Sequence, residues 1–79
     1  MKVIVNIKLK DLVLDPAGKA TQDALCSLGF NVKNVRIGKQ IVFDLDKKNE
    51  DDAKKEVTKM CEELLANTVI EDYEIVLWK

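Results

Sequence analysis

Lys2-Val3-Ile4-Val5-Asn6-Ile7-Lys8-Leu9, leading on to Leu14-Asp15-Pro16-Ala17-Gly18-Lys19-Ala20, decides the fold class. In the first segment Val3, Val5, Ile7 and Leu9 alternate with Lys2, Asn6, Lys8 and Lys10, and Ile4 is the one apolar residue on the polar side. A period of two reads as a strand with one buried face. The period then changes. Asp15 is a good N-cap, because its carboxylate can accept the unpaired amides of a first helical turn, and Pro16 suits the first helical position. A helix is predicted from about Pro16 to Leu28, with Ala17, Ala20, Ala24, Leu25 and Leu28 forming a narrow stripe of mostly small residues. Gly29 is placed to adopt the left-handed conformation after it, and Phe30 to fold back on Leu25 in a Schellman ending.

Beyond this unit, Val35, Ile37, Ile41, Phe43 and Leu45 return to odd-numbered alternation, interrupted at Gly38-Lys39. A two-residue hairpin there would pair Ile37 with Gln40 and mix apolar with polar residues on one face, which register disfavours. A long strand over 33–45 bent at Gly38 keeps the parity. A three-residue turn pairing Ile37 with Ile41 keeps it too, and the bent strand is the preferred expectation. Asn49 is a plausible N-cap for a second helix, with Glu50, Asp51 and Asp52 in the first turn where the helix dipole favours negative charge. Ala53, Val57, Met60, Cys61 and Leu64 form its expected buried stripe, and Asn67 its left-handed stop. A last strand alternates Tyr73, Ile75 and Leu77 with Asp72, Glu74, Val76 and Trp78. The order β-α-β(β)-α-β predicts an α+β domain: two helices on one face of a mostly antiparallel sheet, related to ferredoxin-like arrangements.

The chain has 79 residues, enough for one domain (residues 1–79). Its 47% hydrophobic and 34% charged content is that of a folded protein. Thirteen Lys and Arg against 14 Asp and Glu leave a net charge of −1, which argues against nucleic-acid binding by bulk charge. No apolar run reaches the roughly 18 residues of a membrane span and no signal segment opens the chain, so a cytoplasmic protein without a membrane partner is expected. Histidine, the commonest general base and metal ligand, is absent. A binding module is therefore favoured over an autonomous enzyme. Chains this short also bury little of their own surface and often oligomerise.

Several residues are candidate sites. If odd-numbered strand residues face the helices, Ile4, Val42, Val76 and Trp78 share the opposite face and mark a surface for self-association. Asp15, Pro16, Gly18 and Lys19 could hold an anion at a helix start, though a capped helix explains them more simply. Arg36, the only arginine, stands beside Gly38 and Lys39 and could grip a phosphate or carboxylate; a surface salt bridge explains it equally well. Cys61 reads as a core residue, and Cys26 as a plain free thiol with nothing basic predicted nearby. The acidic run Asp44 to Asp52 lacks the alternation and central glycine of a calcium loop.

Taken in order, Leu14 to Ala20, Leu28-Gly29-Phe30, Val35-Arg36-Ile37-Gly38-Lys39, Met60 to Asn67 and Val69 to Tyr73 resemble the PurS family, the small subunits of phosphoribosylformylglycinamidine synthase. Each motif is weak alone; the ordered set, over nearly the whole chain, is specific. The resemblance implies an amidotransferase complex of purine synthesis, with a glutaminase subunit and a large ATP-dependent synthetase subunit. It implies no catalytic residue, cofactor or metal on this chain, ATP and magnesium belonging to the synthetase subunit. It further implies a role in joining the other subunits and helping ammonia pass between them, and self-association to a dimer or tetramer. Asp15, Pro16, Gly18, Lys19, Arg36, Gly38 and Lys39 are then partner-interface candidates. The alternative is a small-molecule-binding regulatory module of ferredoxin-like fold, acting as an oligomer. An acylphosphatase-like enzyme needs a glycine-and-arginine loop after the first strand, and Lys10-Asp11-Leu12-Val13-Leu14 has neither. An RNA-binding sheet needs central exposed aromatics, and only the terminal Trp78 qualifies.

Overall fold

A computed structural model describes residues 1–78. The elements are β1 (Lys2–Leu9), α1 (Pro16–Ser27), β2 (Lys39–Asp44), α2 (Glu50–Met60) continuing into a π-helical turn (Cys61–Leu65), and β3 (Glu71–Trp78). The strands form one sheet in the order β2-β1-β3, antiparallel throughout. The register places Val3 between Phe43 and Leu77, and Val5 between Ile41 and Ile75. Odd-numbered residues of all three strands therefore share a face, as alternation predicts, and the class and element order are those expected.

Val3, Val5 and Ile7 of the central strand are fully or almost fully buried, in one cluster with Val57 of α2 and Cys61 of the π turn; Ala53 of α2 is buried as well. The start of α2 is built as the sequence indicates: the Asn49 Oδ1 accepts the Asp51 amide at 2.8 Å, and three acidic residues fill the first turn. Its end differs. The helix widens into the π turn, closed by the Ala66 amide donating to the Cys61 carbonyl at 3.0 Å. The extra residue per turn rotates the stripe by one position. Leu65 is consequently half-buried against the core, whereas Leu64, expected there, is 83% exposed. Asn67 is not left-handed; Gly29 and Asn34 are the residues with positive φ among those described. Asn67 instead shapes the turn into β3, its carbonyl accepting the amides of Ile70 and Glu71.

The segment before β2 also departs from expectation. Residues 33–38 are not strand, either as the first part of a long bent strand or as one arm of a hairpin; the ladder begins where Lys39 pairs with Ile7. Asn34 breaks the extended run at φ 56°. The amides of Val35 and Ile37 are taken by the Gln22 side chain and the Asp15 carboxylate, so they have no strand partner. Gly38 is required where the chain turns into the sheet, since a Cβ there would stand 2.6 Å from the Ile7 carbonyl oxygen.

The two helices relate to the sheet differently. The α2 helix supplies the cover, while α1 contributes no residue to the core cluster, and Gly18 is its one buried residue. The Schellman ending is present: the Phe30 amide donates to the Leu25 carbonyl at 3.0 Å, the Gly29 amide to that of Cys26 at 3.1 Å, and Gly29 has φ 96°. The result is an elongated, thin molecule of 48 × 26 × 14 Å, with α1 as an arm off one end of the sheet.

Candidate functional site

Four of the seven partner-interface candidates meet where the arm leaves the sheet. The Asp15 carboxylate accepts two amides, Gly18 on Oδ1 at 2.9 Å and Ile37 on Oδ2 at 2.8 Å. One carboxylate thus caps α1 and fastens the returning segment 22 residues along the chain. These bonds, first from Ile37 and then from Gly18, hold the Asp15 carboxyl below its usual value. Pro16 occupies the first turn. Gly18 allows close approach of two backbones, because a Cβ there would lie 2.3 Å from the Val35 carbonyl oxygen. Arg36 donates through Nη2 to the carbonyls of Lys10 and Val13, at 2.9 and 2.8 Å. It ties the segment before β2 to the loop after β1.

Lys19 makes no bond to the clamp; it borders the groove beside it and pairs with Asp23 at 3.0 Å on the exposed side of α1. Gly38 and Lys39 sit a short way off at the sheet end, Lys39 Nζ lying 3.8 Å from a Glu71 carboxylate oxygen. The Asp15 carboxylate occupies the amides that an anion at the helix start would need, and Arg36 reaches backbone carbonyls. The junction is a clamp that sets the direction of α1. Beside it runs an open groove lined by Asp11, Leu14, Gln22, Asn34 and Val35.

The four self-association candidates lie together on the opposite face of the sheet. Ile4 is flanked by Val42 and Val76, and Lys2 by Trp78 on β3. Val42, Val76 and Trp78 are 50%, 39% and 62% exposed, and the Lys2 ammonium stands 5.8 Å from the centre of the Trp78 ring. At that distance a cation is held by the ring's negative face. Next to this apolar patch is a polar row missed by the sequence reading. The Gln40 amide donates to Asn6 at 2.9 Å, and the Asn6 amide to Glu74 at 3.3 Å. The three residues share even parity, but only the register brings them side by side.

The two thiols separate as expected in environment. Cys61 is buried, and that burial pushes its thiol up; Cys26 is exposed on α1, with Sγ 3.7 Å from the Val32 carbonyl oxygen. Among the described residues no group of three potential metal ligands is assembled, and no helix is long and apolar enough to cross a membrane.

Comparison with known proteins places this architecture. Residues 2–79 match the model of the PurS family, described as phosphoribosylformylglycinamidine (FGAM) synthase. The FGAM synthase subunit PurS of Methanocaldococcus jannaschii is 51% identical, over 99% of this chain and 95% of that protein. The PurS subunit of Bacillus subtilis is 52% identical, over 91% of this chain and 86% of its own. The crystal structure of M. jannaschii PurS, one of the subunits of formylglycinamide ribonucleotide amidotransferase, superposes with a TM-score of 0.88 over 99% of this chain and 95% of that one. A chain in the PurLQS structure from Thermotoga maritima, 36% identical, also gives 0.88, over 95% of this chain and 93% of that one. By sequence over nearly its full length and by fold, this chain belongs to the PurS family of phosphoribosylformylglycinamidine synthase subunits.

Proposed function

We propose that this chain is the non-catalytic subunit that joins the glutaminase and ATP-dependent synthetase subunits of phosphoribosylformylglycinamidine synthase and supports ammonia transfer between them. The observation that carries this reading is the T. maritima PurLQS assembly, which contains a chain of the same fold at 36% identity. The site chemistry agrees with it. The ionisable groups of the junction, Asp15 and Arg36, are hydrogen-bonded to backbone and fix shape. Large apolar side chains stand uncovered on the open sheet face and along the arm, as suits a protein that works in contact with others.

In this reading the clamp residues and the adjoining groove present the arm base to a partner subunit. The patch of Ile4, Val42, Val76 and Trp78 serves self-association through the sheet. ATP and magnesium act on the synthetase subunit, and the assembly works in the cytoplasm. Size-exclusion chromatography of the three subunits mixed with ATP, magnesium and glutamine tests it: the chain is expected to elute with both partners. Elution of this chain apart from them in every combination overturns the reading.

A further inference from the structure

We propose that the hydrogen bond from Tyr73 to Glu62 is a latch that selects the π register at the end of α2, and that breaking it returns the segment to a continuous α-helix in which Leu64 replaces Leu65 against the sheet. The first observation is that the local sequence does not ask for a wide turn. Glu62, Glu63, Leu64, Leu65 and Ala66 are all strong α-helix formers, and no glycine or proline interrupts them. In an α-helix the amides of Leu65 and Ala66 would find ordinary partners, the carbonyls of Cys61 and Glu62. Here the Cys61 carbonyl instead accepts from the Ala66 amide at 3.0 Å, one residue further on. The widening is therefore imposed from outside the helix.

The second observation names what imposes it. The segment is fastened to β3 at both ends. Near its start the Tyr73 hydroxyl donates to Glu62 Oε2 at 2.7 Å, and just past its end the Asn67 amide donates to Glu71 Oε1, also at 2.7 Å. Tyr73 and Glu71 share one parity on one strand, so the chain from 62 to 67 is held between two fixed points on the same face. Of the two bonds, only that to Glu62 grips a side chain of the turn itself. The third observation is that the alternative register fills the core with the same kind of side chain. Leu65 is half-buried against the core and Leu64 is 83% exposed. Exchanging them keeps a leucine at the edge of the core and changes which leucine meets solvent. Two packings so closely matched make the segment bistable, and the latch sets which apolar side chain this end of α2 presents.

Glu62→Ala tests the latch, because the position is exposed and alanine favours a helix, so the fold is expected to survive the change. Glu63→Ala is the control: the same change one residue on, with the Tyr73 bond intact. Scalar coupling across hydrogen bonds, measured by NMR on the intact chain, reads the register. The wild type and Glu63→Ala are expected to show coupling between the Ala66 amide nitrogen and the Cys61 carbonyl carbon. Glu62→Ala is expected to lose it and to gain coupling from the Leu65 amide to the same carbonyl. Denaturant unfolding at one chain concentration gives a second reading. Leu65→Ala is expected to lower the midpoint more than Leu64→Ala in the wild type, and the order to reverse in the Glu62→Ala background. A hydrogen bond that merely supports the turn would lower both midpoints and leave their order unchanged. A Glu62→Ala chain that keeps the Ala66-to-Cys61 coupling, or keeps the wild-type order of the two leucine variants, overturns the proposal. Absence of that coupling from the wild type overturns it as well.

Discussion

Asp15 does two jobs with one carboxylate, and only one of them is local. Its capping of α1 follows from Asp15-Pro16 and was legible in the sequence; its bond to the Ile37 amide spans 22 residues and depends on where the returning segment lies. The same is true of Arg36, whose carbonyl partners Lys10 and Val13 are distant in sequence. Because the folded state lowers the Asp15 pKa, its stabilising contribution is complete above the ordinary carboxylate value and is lost as pH falls through the lowered one. Thermal melts from pH 7 down to pH 2 are expected to show this acid-side loss, and Asp15→Asn to reduce its steepness while lowering the melting temperature at neutral pH. Gly18→Ala is expected to destabilise by about 1–3 kcal/mol, because the new methyl meets the Val35 carbonyl and two backbones must part. Denaturant unfolding measures it. Lys19→Ala, by contrast, removes an exposed pair and is expected to change stability by less than about 0.5 kcal/mol.

At the scale of elements, alternation located β1, β3 and the odd face of β2, and the Asn49 cap located α2. Two things were not legible. The π turn left no mark that periodicity could detect, so Leu64 was assigned the place that Leu65 takes. The unpaired run 33–38 keeps strand-like parity, but its amides are drawn to side chains of α1 and its cap, which alternation cannot register. The π turn is joined to β3 through the Tyr73 hydroxyl, which donates to Glu62 at 2.7 Å. That hydrogen bond, with burial, pushes the Tyr73 phenol up to about 12. Tyr73 is the only tyrosine, so absorbance titration near 295 nm reports on it alone. The midpoint is expected near 12 in the wild type and lower in Glu62→Gln. The sign for stability is the reverse of that for Asp15: the contribution is full below the ordinary tyrosine value of about 10 and is lost as pH rises through the raised one. Val57→Ala, in the fully buried stripe of α2, is expected to cost about 2 kcal/mol in denaturant unfolding.

For the whole molecule, the architecture is a thin sheet covered on one side by α2, with an arm at one end and an open apolar face on the other side. Ile4, Val42, Val76 and Trp78 were grouped by parity alone, and the register brings them together. The projection of α1 was not legible, because its stripe reads like that of any helix that packs on its own sheet. What the clamp, arm and open face share is that they present surface and hold geometry. The central claim is that this chain couples a glutaminase to a synthetase. It is tested most directly by reconstituting the synthase with and without the chain, once with glutamine and once with an ammonium salt as nitrogen source. The account predicts that omission abolishes the glutamine-driven rate and leaves the ammonium-driven rate. Equal glutamine-driven rates with and without the chain would contradict it.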